Sequence, residues 1–243
     1  MILPDMTYEQ MVDVFLQDWQ LIRKEDQRYM VTTGYKIVRD KNATYPMQLI
    51  HVWTSPKTHQ RYFIHDEFAK RSETYNGNYR LTMKALVQTQ YGLEMVHTVY
   101  QPEGECVNGL GLIYYRAHLF NRYAERMNLT LRGEDLIRYF IKRNGLMIQE
   151  EDFRKGLQGE VMMTCFDGAC FGHTDDNRMF NLKTFIATET MQEGYKSQFN
   201  KEYDVSVTDG IKQAYYAGRP DLAYQMAAHV KRRKDGKPSL ITK

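Results

Sequence analysis

The densest chemistry in the chain lies between Gly159 and Leu182, GEVMMTCFDGACFGHTDDNRMFNL. Cys165, Cys170 and His173 follow one another with four and then two residues between them. Thiolate sulfur and imidazole nitrogen are the donors Zn²⁺ prefers, and a structural zinc site takes four of them. The fourth would have to come from Asp175 or from Cys106. The plainer account of the same residues is a turn with buried thiols, because Asp167-Gly168 is itself a hairpin signal.

His173, Asp175 and Asp176 offer a second chemistry. Neighbouring carboxylates hold Mg²⁺ for hydrolysis or phosphoryl transfer, or shift each other's pKa for acid–base work. On that reading these three are the catalytic residues of a metal-dependent hydrolase or nuclease, and Cys165, Cys170 and His173 are metal ligands. Asp-Asp-Asn is also the ordinary composition of a solvated loop.

Other residues carry weaker signals. His51, His59 and His65 sit close together in sequence and form a metal or acid–base candidate. His51 shares its strand face with Leu49 and Trp53, which favours a core histidine. The glycines of Asn108-Gly109-Leu110-Gly111 precede a helical pattern, where anions bind, but no dinucleotide fingerprint is complete. Lys231, Arg232, Arg233 and Lys234 form a basic run suited to non-specific, salt-dependent contact with phosphates. Aromatic residues near a cation, such as Tyr62 and Phe63 beside Arg61, suit stacking on single-stranded bases.

These residues need elements to hold them. Thr7-x-x-Gln10 has capping-box form, and Met11, Phe15, Trp19 and Ile22 then recur at helical spacing, predicting a helix that ends near residue 26. Alternation predicts a strand over 29–38. Two more extended runs, 48–54 and 61–68, flank Ser55-Pro56-Lys57-Thr58 as a hairpin. Residues 79–88 have period two, with Arg80, Thr82, Lys84 and Gln88 on one face, which predicts an antiparallel strand half open to water. Residues 91–101 return beside it. Residues 29–101 are thus expected to give about five strands in a meander.

Beyond the break at 101–111 the period becomes helical. Helices are predicted over 112–128 and 133–143, the second stopped by Asn144-Gly145, with a short acidic helix at 149–156. Residues 161–165 and 179–188 read as a later β-hairpin around a loop at 166–177. A helix from about 190 and two more over 207–217 and 221–233 complete a helical C-terminal half, followed by a frayed tail.

Composition sets bounds. At 243 residues, 42% hydrophobic and 26% charged, the chain has the make-up of a globular protein able to bury a sizeable core. Its net charge is +3, but residues 231–243 alone carry +5, which leaves −2 for the rest. The basic excess therefore belongs to the tail. No secretory signal or spanning segment is evident, and three cysteines make no disulfide framework, so a cytoplasmic setting is expected. Eighteen tyrosines suit both an irregular core and protein contact surfaces.

The expected fold is a single α+β domain over 1–243, β-rich over 1–101, α-rich over 102–234, with a basic tail at 231–243. The expected function is a non-enzymatic binding or assembly module, of viral or mobile-element type, that touches nucleic acid through Lys231–Lys234. The alternatives are the metal-dependent hydrolase or nuclease above, using Zn²⁺ or Mg²⁺, and a structural subunit that self-associates or binds proteins through Tyr-rich surfaces. No membrane partner is expected.

Overall fold

The computed structural model describes residues 1–100, 110–144, 148–149, 159–174 and 178–187. They form two compact units. One is built on the described residues up to Tyr114 together with 178–180, and the other on those from Tyr115 onward. Both mix helix with antiparallel strand, as expected for an α+β chain. No helix among the described residues is long and apolar enough to cross a membrane.

The first unit starts with helix α1 (Tyr8–Tyr29). Its capping box is complete: the Gln10 amide donates to the Thr7 hydroxyl, and the Thr7 amide donates to Gln10 Oε1 at 2.8 Å. Two orphan N–H groups of the first turn are thereby satisfied. Met11, Val12, Phe15 and Ile22 are buried on one face, and Asp18 and Asp26 lie among the helix's buried residues.

The chain does not turn into a strand at residue 29. It continues through one π turn (Met30–Gly34) into α2 (Tyr35–Val38). The alternating β-branched and aromatic residues misled here, because burial follows a spacing of four. Met30, Gly34 and Val38 are buried, whereas Val31 is 71% and Ile37 43% exposed. The Cβ of any larger residue at Gly34 would overlap Met30 Sδ, so glycine permits the close packing. The small cluster of Met30, Val38, Met47, Leu49 and Phe68 is what this segment gains by being helical.

Four antiparallel strands follow: β1 (Met47–Thr54), β2 (Arg61–Phe68), β3 (Arg80–Thr89) and β4 (Gly92–Tyr100). Between β2 and β3 lies the single helical turn α3 (Glu73–Asn76). The expected five strands of 29–101 are therefore four. A fifth, β5 (Leu110–Tyr115), replaces the start of the helix expected over 112–128. Leu112, Ile113, Tyr114 and Tyr115 are buried consecutively, as in a strand covered on both faces. The strands lie in the order β1-β2-β3-β4-β5.

The β1–β2 and β2–β3 registers put Tyr62, Ile64, Met83 and Ala85 on one face. These residues share a core cluster with Met11, Phe15 and Ile22 of α1. The β1–β2 turn is pinned to the helix by Asp18. Its carboxylate accepts from Ser55 Oγ at 2.6 Å, from the Tyr62 hydroxyl at 2.8 Å and from the Thr58 hydroxyl. A buried carboxylate with three donors is stable where a bare one would not be.

The second unit has two helices, α4 (Ala117–Arg126) and α5 (Gly133–Arg143), and strands β6 (Ile148–Gln149), β7 (Glu160–Cys165), β8 (Gly168–Thr174) and β9 (Met179–Ala187). Their order is β9-β8-β7-β6. Of the loop expected over 166–177, residues 168–174 are instead strand β8, which pairs with β7 from Cys165↔Gly168 to Glu160↔His173, and 175–177 lie outside the described residues. The turn signal of Asp167-Gly168 prevailed over the polar composition that follows it. Rings from both helices and β9 pack edge to face: Tyr123 lies 4.9 Å from Phe140 and 4.9 Å from Phe185.

The helical C-terminal half does not hold among the described residues, where strands β5 and β7–β9 accompany the two helices. The helices expected at 190, 207–217 and 221–233 lie outside the described residues, as do 150–156 of the acidic helix.

Candidate functional site

The β7–β8 hairpin sorts the residues of the Gly159–Leu182 stretch by face. Cross-strand partners share a face, and successive residues alternate. Cys165 pairs with Gly168, so Cys165 and Cys170 share one face and His173 takes the other. Both thiols are free and buried. Cys165 donates to the Gly168 carbonyl at 3.3 Å. Burial and the neighbouring Cys165 push the Cys170 thiol well above its ordinary range, so it stays protonated. Among the described residues no group of three or more His, Cys, Asp or Glu is arranged to hold a metal ion. Asp175, Asp176 and Cys106 lie outside the described residues, and so do Lys231, Arg232, Arg233 and Lys234.

Asp167, at the tip of this hairpin, ties the sheet to the helices. Arg143 of α5 forks onto it, with Nε 3.0 Å from Oδ1 and 2.9 Å from Oδ2. The Tyr123 hydroxyl donates to Oδ2 at 2.6 Å and Asn144 Nδ2 at 3.1 Å. Asn144 Oδ1 accepts in return from the Asp167 amide at 3.0 Å. The densest sequence stretch thus supplies a structural joint.

The three histidines do not converge. His51 and His65 pair with adjacent β2 and β1 positions, Ile64 and Ile50, and so face opposite sides of the sheet. His51 stacks on Tyr29 with ring centroids 3.8 Å apart. His59 sits in the β1–β2 turn with φ 57°.

Two buried clusters flank β2, one on each face; the sequence signalled His65 of the second, with His51 and His59 rather than with the partners it has here. On the helix side, Asp66 of β2 meets Asp26 of α1. Burial, and the charge of Asp26, push the Asp66 carboxyl up to about 9. Two bare carboxylates cannot hydrogen-bond to each other, but with one proton between them they can. The Tyr79 hydroxyl adds a bond to Asp26 Oδ2 at 2.6 Å.

On the other face, Lys84 Nζ lies 2.9 Å from His65 Nδ1 and 2.7 Å from Thr82 Oγ1. The expectation that this face of β3 is open to water fails: Thr82 is 8% and Lys84 4% exposed. Burial pulls the Lys84 ammonium down to about 7, against the pull of Glu67.

The accessible chemistry is elsewhere, where the 35–45 segment meets α3. The Arg39 guanidinium lies 4.1 Å from the Tyr35 ring centroid and 4.8 Å from that of Tyr75. Both distances are within cation–π range. Arg39 Nε donates to the Thr74 carbonyl at 3.1 Å. Arg71 lies 5.8 Å from the Tyr45 ring and donates to the Asp40 carbonyl at 2.7 Å and the Lys41 carbonyl at 3.3 Å. These bonds all go to main-chain carbonyls, and neither guanidinium forms an ion pair with a carboxylate among the described residues. Lys36, Lys41 and Lys70 are exposed on the same segments. Tyr75 is 64% exposed. The sequence carried a hint in the recurrence of Tyr and Arg or Lys over 35–45 and 70–75, but only the fold brings the two stretches together.

The chain matches no known protein-family model, no curated protein and no solved structure.

Proposed function

We propose that the protein is a non-enzymatic binding module that contacts nucleic acid through two basic features. One is the run Lys231–Lys234, and the other is the Tyr–Arg patch formed by Tyr35, Arg39, Arg71 and Tyr75. The observation that carries this reading is the Arg39 guanidinium held between two tyrosine rings, one of them largely exposed. An exposed ring beside guanidiniums and lysines is the combination that holds phosphates and stacks on bases. The buried carboxylates Asp18 and Asp167 hold the fold together and leave that chemistry to the surface. An intracellular setting of viral or mobile-element type, and self-association through tyrosine-bearing surfaces, belong to the same proposal.

Fluorescence anisotropy with a labelled random oligonucleotide tests it. Binding should weaken steeply with salt, with a log–log slope of about −0.7 per phosphate neutralised on a single strand. Replacing Lys36 and Lys41 by Gln should reduce that slope by about 1.4. Replacing all four basic residues of 231–234 by Gln should weaken binding uniformly across sequences. Affinity that is indifferent to salt, or unchanged in both variants, would contradict the reading.

A further inference from the structure

We propose that the β2–β3–β4 sheet face of the first unit holds a buried site for a small oxyanion, bound by Lys84 Nζ and the His97 imidazole. This site is independent of the surface patch. Lys84 and His97 are direct cross-strand partners, so their side chains leave the sheet side by side on the same face. As an ammonium, Lys84 Nζ has three donor positions, and two are taken, by His65 Nδ1 and Thr82 Oγ1. The third has no partner among the described residues. His97 Nε2 is buried and also has none. With His97 in its Nε2–H tautomer, two adjacent buried donors lack acceptors among the described residues, and a ligand that brings acceptors would satisfy both, since buried polar groups are normally satisfied.

Charge points the same way. The groups around Lys84 are His65, Glu67 and Asp66 on β2, Arg80 on its own strand and His97 on β4. Glu67 is already engaged, 3.3 Å from Arg80 and 3.6 Å from His65 Nε2. Asp66 leaves the sheet on the opposite face, where burial and the charge of Asp26 raise its carboxyl to about 9. With Lys84 as an ammonium, the site has more cationic than anionic groups. With no anion, burial keeps the amine near neutrality and, with the charges of Lys84 and Arg80, keeps His97 uncharged. An oxyanion would favour the ammonium, so binding takes up a proton.

Sulfate is the first probe, because it does not titrate near neutrality, and formate tests whether a planar carboxylate serves as well. The full-length protein is titrated by calorimetry at fixed ionic strength, with chloride as the balancing ion, at pH 6 and pH 8. The proposal expects saturable binding, about tenfold tighter at pH 6 through the linked proton. It expects loss of at least about tenfold in affinity in both Lys84→Met and His97→Leu. Preference for sulfate over formate, or the reverse, identifies the oxyanion class. His97→Leu keeps the test valid if Lys84→Met fails to fold. No saturable binding, or equal binding in the wild type and in a folded His97→Leu variant, would overturn the site.

Discussion

At the scale of single residues, the chain buries several charged groups and handles them in two ways. Asp167 is surrounded by donors from Arg143, Tyr123 and Asn144. Removing one partner of such a pair leaves the other buried and uncompensated. Arg143→Met should therefore destabilise by about 3–5 kcal/mol, read from denaturant unfolding. Asp66 takes the opposite course and holds a proton. Its folded pKa, near 9, lies above the unfolded value near 3.8. Between those values the folded state binds more protons than the unfolded state, so this group makes stability fall as pH rises. Asp66→Asn removes that term while keeping a donor toward Asp26. The variant should melt higher than the wild type at pH 7, with the advantage fading toward pH 4. Lys84 acts with the opposite sign from about pH 7 upward, because its folded pKa is depressed. Equal melting temperatures at pH 7 would contradict a protonated Asp66 in the folded state.

At the scale of elements, close backbone approaches and caps fix the geometry. A Cβ at Gly172 would overlap the Asn181 carbonyl oxygen of β9, so Gly172→Ala must push two strands apart. It should lower the melting temperature by more than Gly77→Ala, where a Cβ meets nothing within 4 Å and only the left-handed φ of 71° opposes it. Thr7→Ala should cost about 1 kcal/mol by opening the α1 capping box. These elements were unequally legible. The capping box, the 48–54 and 61–68 hairpin, the 80–89 and 92–100 strand pair and the 133–143 helix follow from local signals that tertiary packing reinforces. The 29–38 segment failed because β-branched residues suggested a strand, while Met30, Gly34 and Val38 found burial at a spacing of four. The 110–115 strand failed because a continuous apolar run fits either a strand or a helix. The sites were less legible still. Lys84 and His97 become neighbours only through strand pairing, and Arg39 and Tyr75 only through loop contacts 36 residues apart in sequence.

At the scale of the whole molecule, the basic excess is concentrated in residues 231–243, and the rest of the chain carries a small net negative charge. The Tyr–Arg patch is thus a local positive feature on a weakly acidic body, which favours a defined contact over diffuse attraction. On the proposed function, this patch touches the bases of a nucleic acid. Photocrosslinking of the full-length protein to a short single-stranded oligonucleotide, with the attached peptides located by mass spectrometry, tests it most directly. An adduct is expected at Tyr75 that disappears in excess unlabelled strand and is lost in Tyr75→Ala. Adducts that spare the 35–45 and 70–75 segments altogether would contradict it.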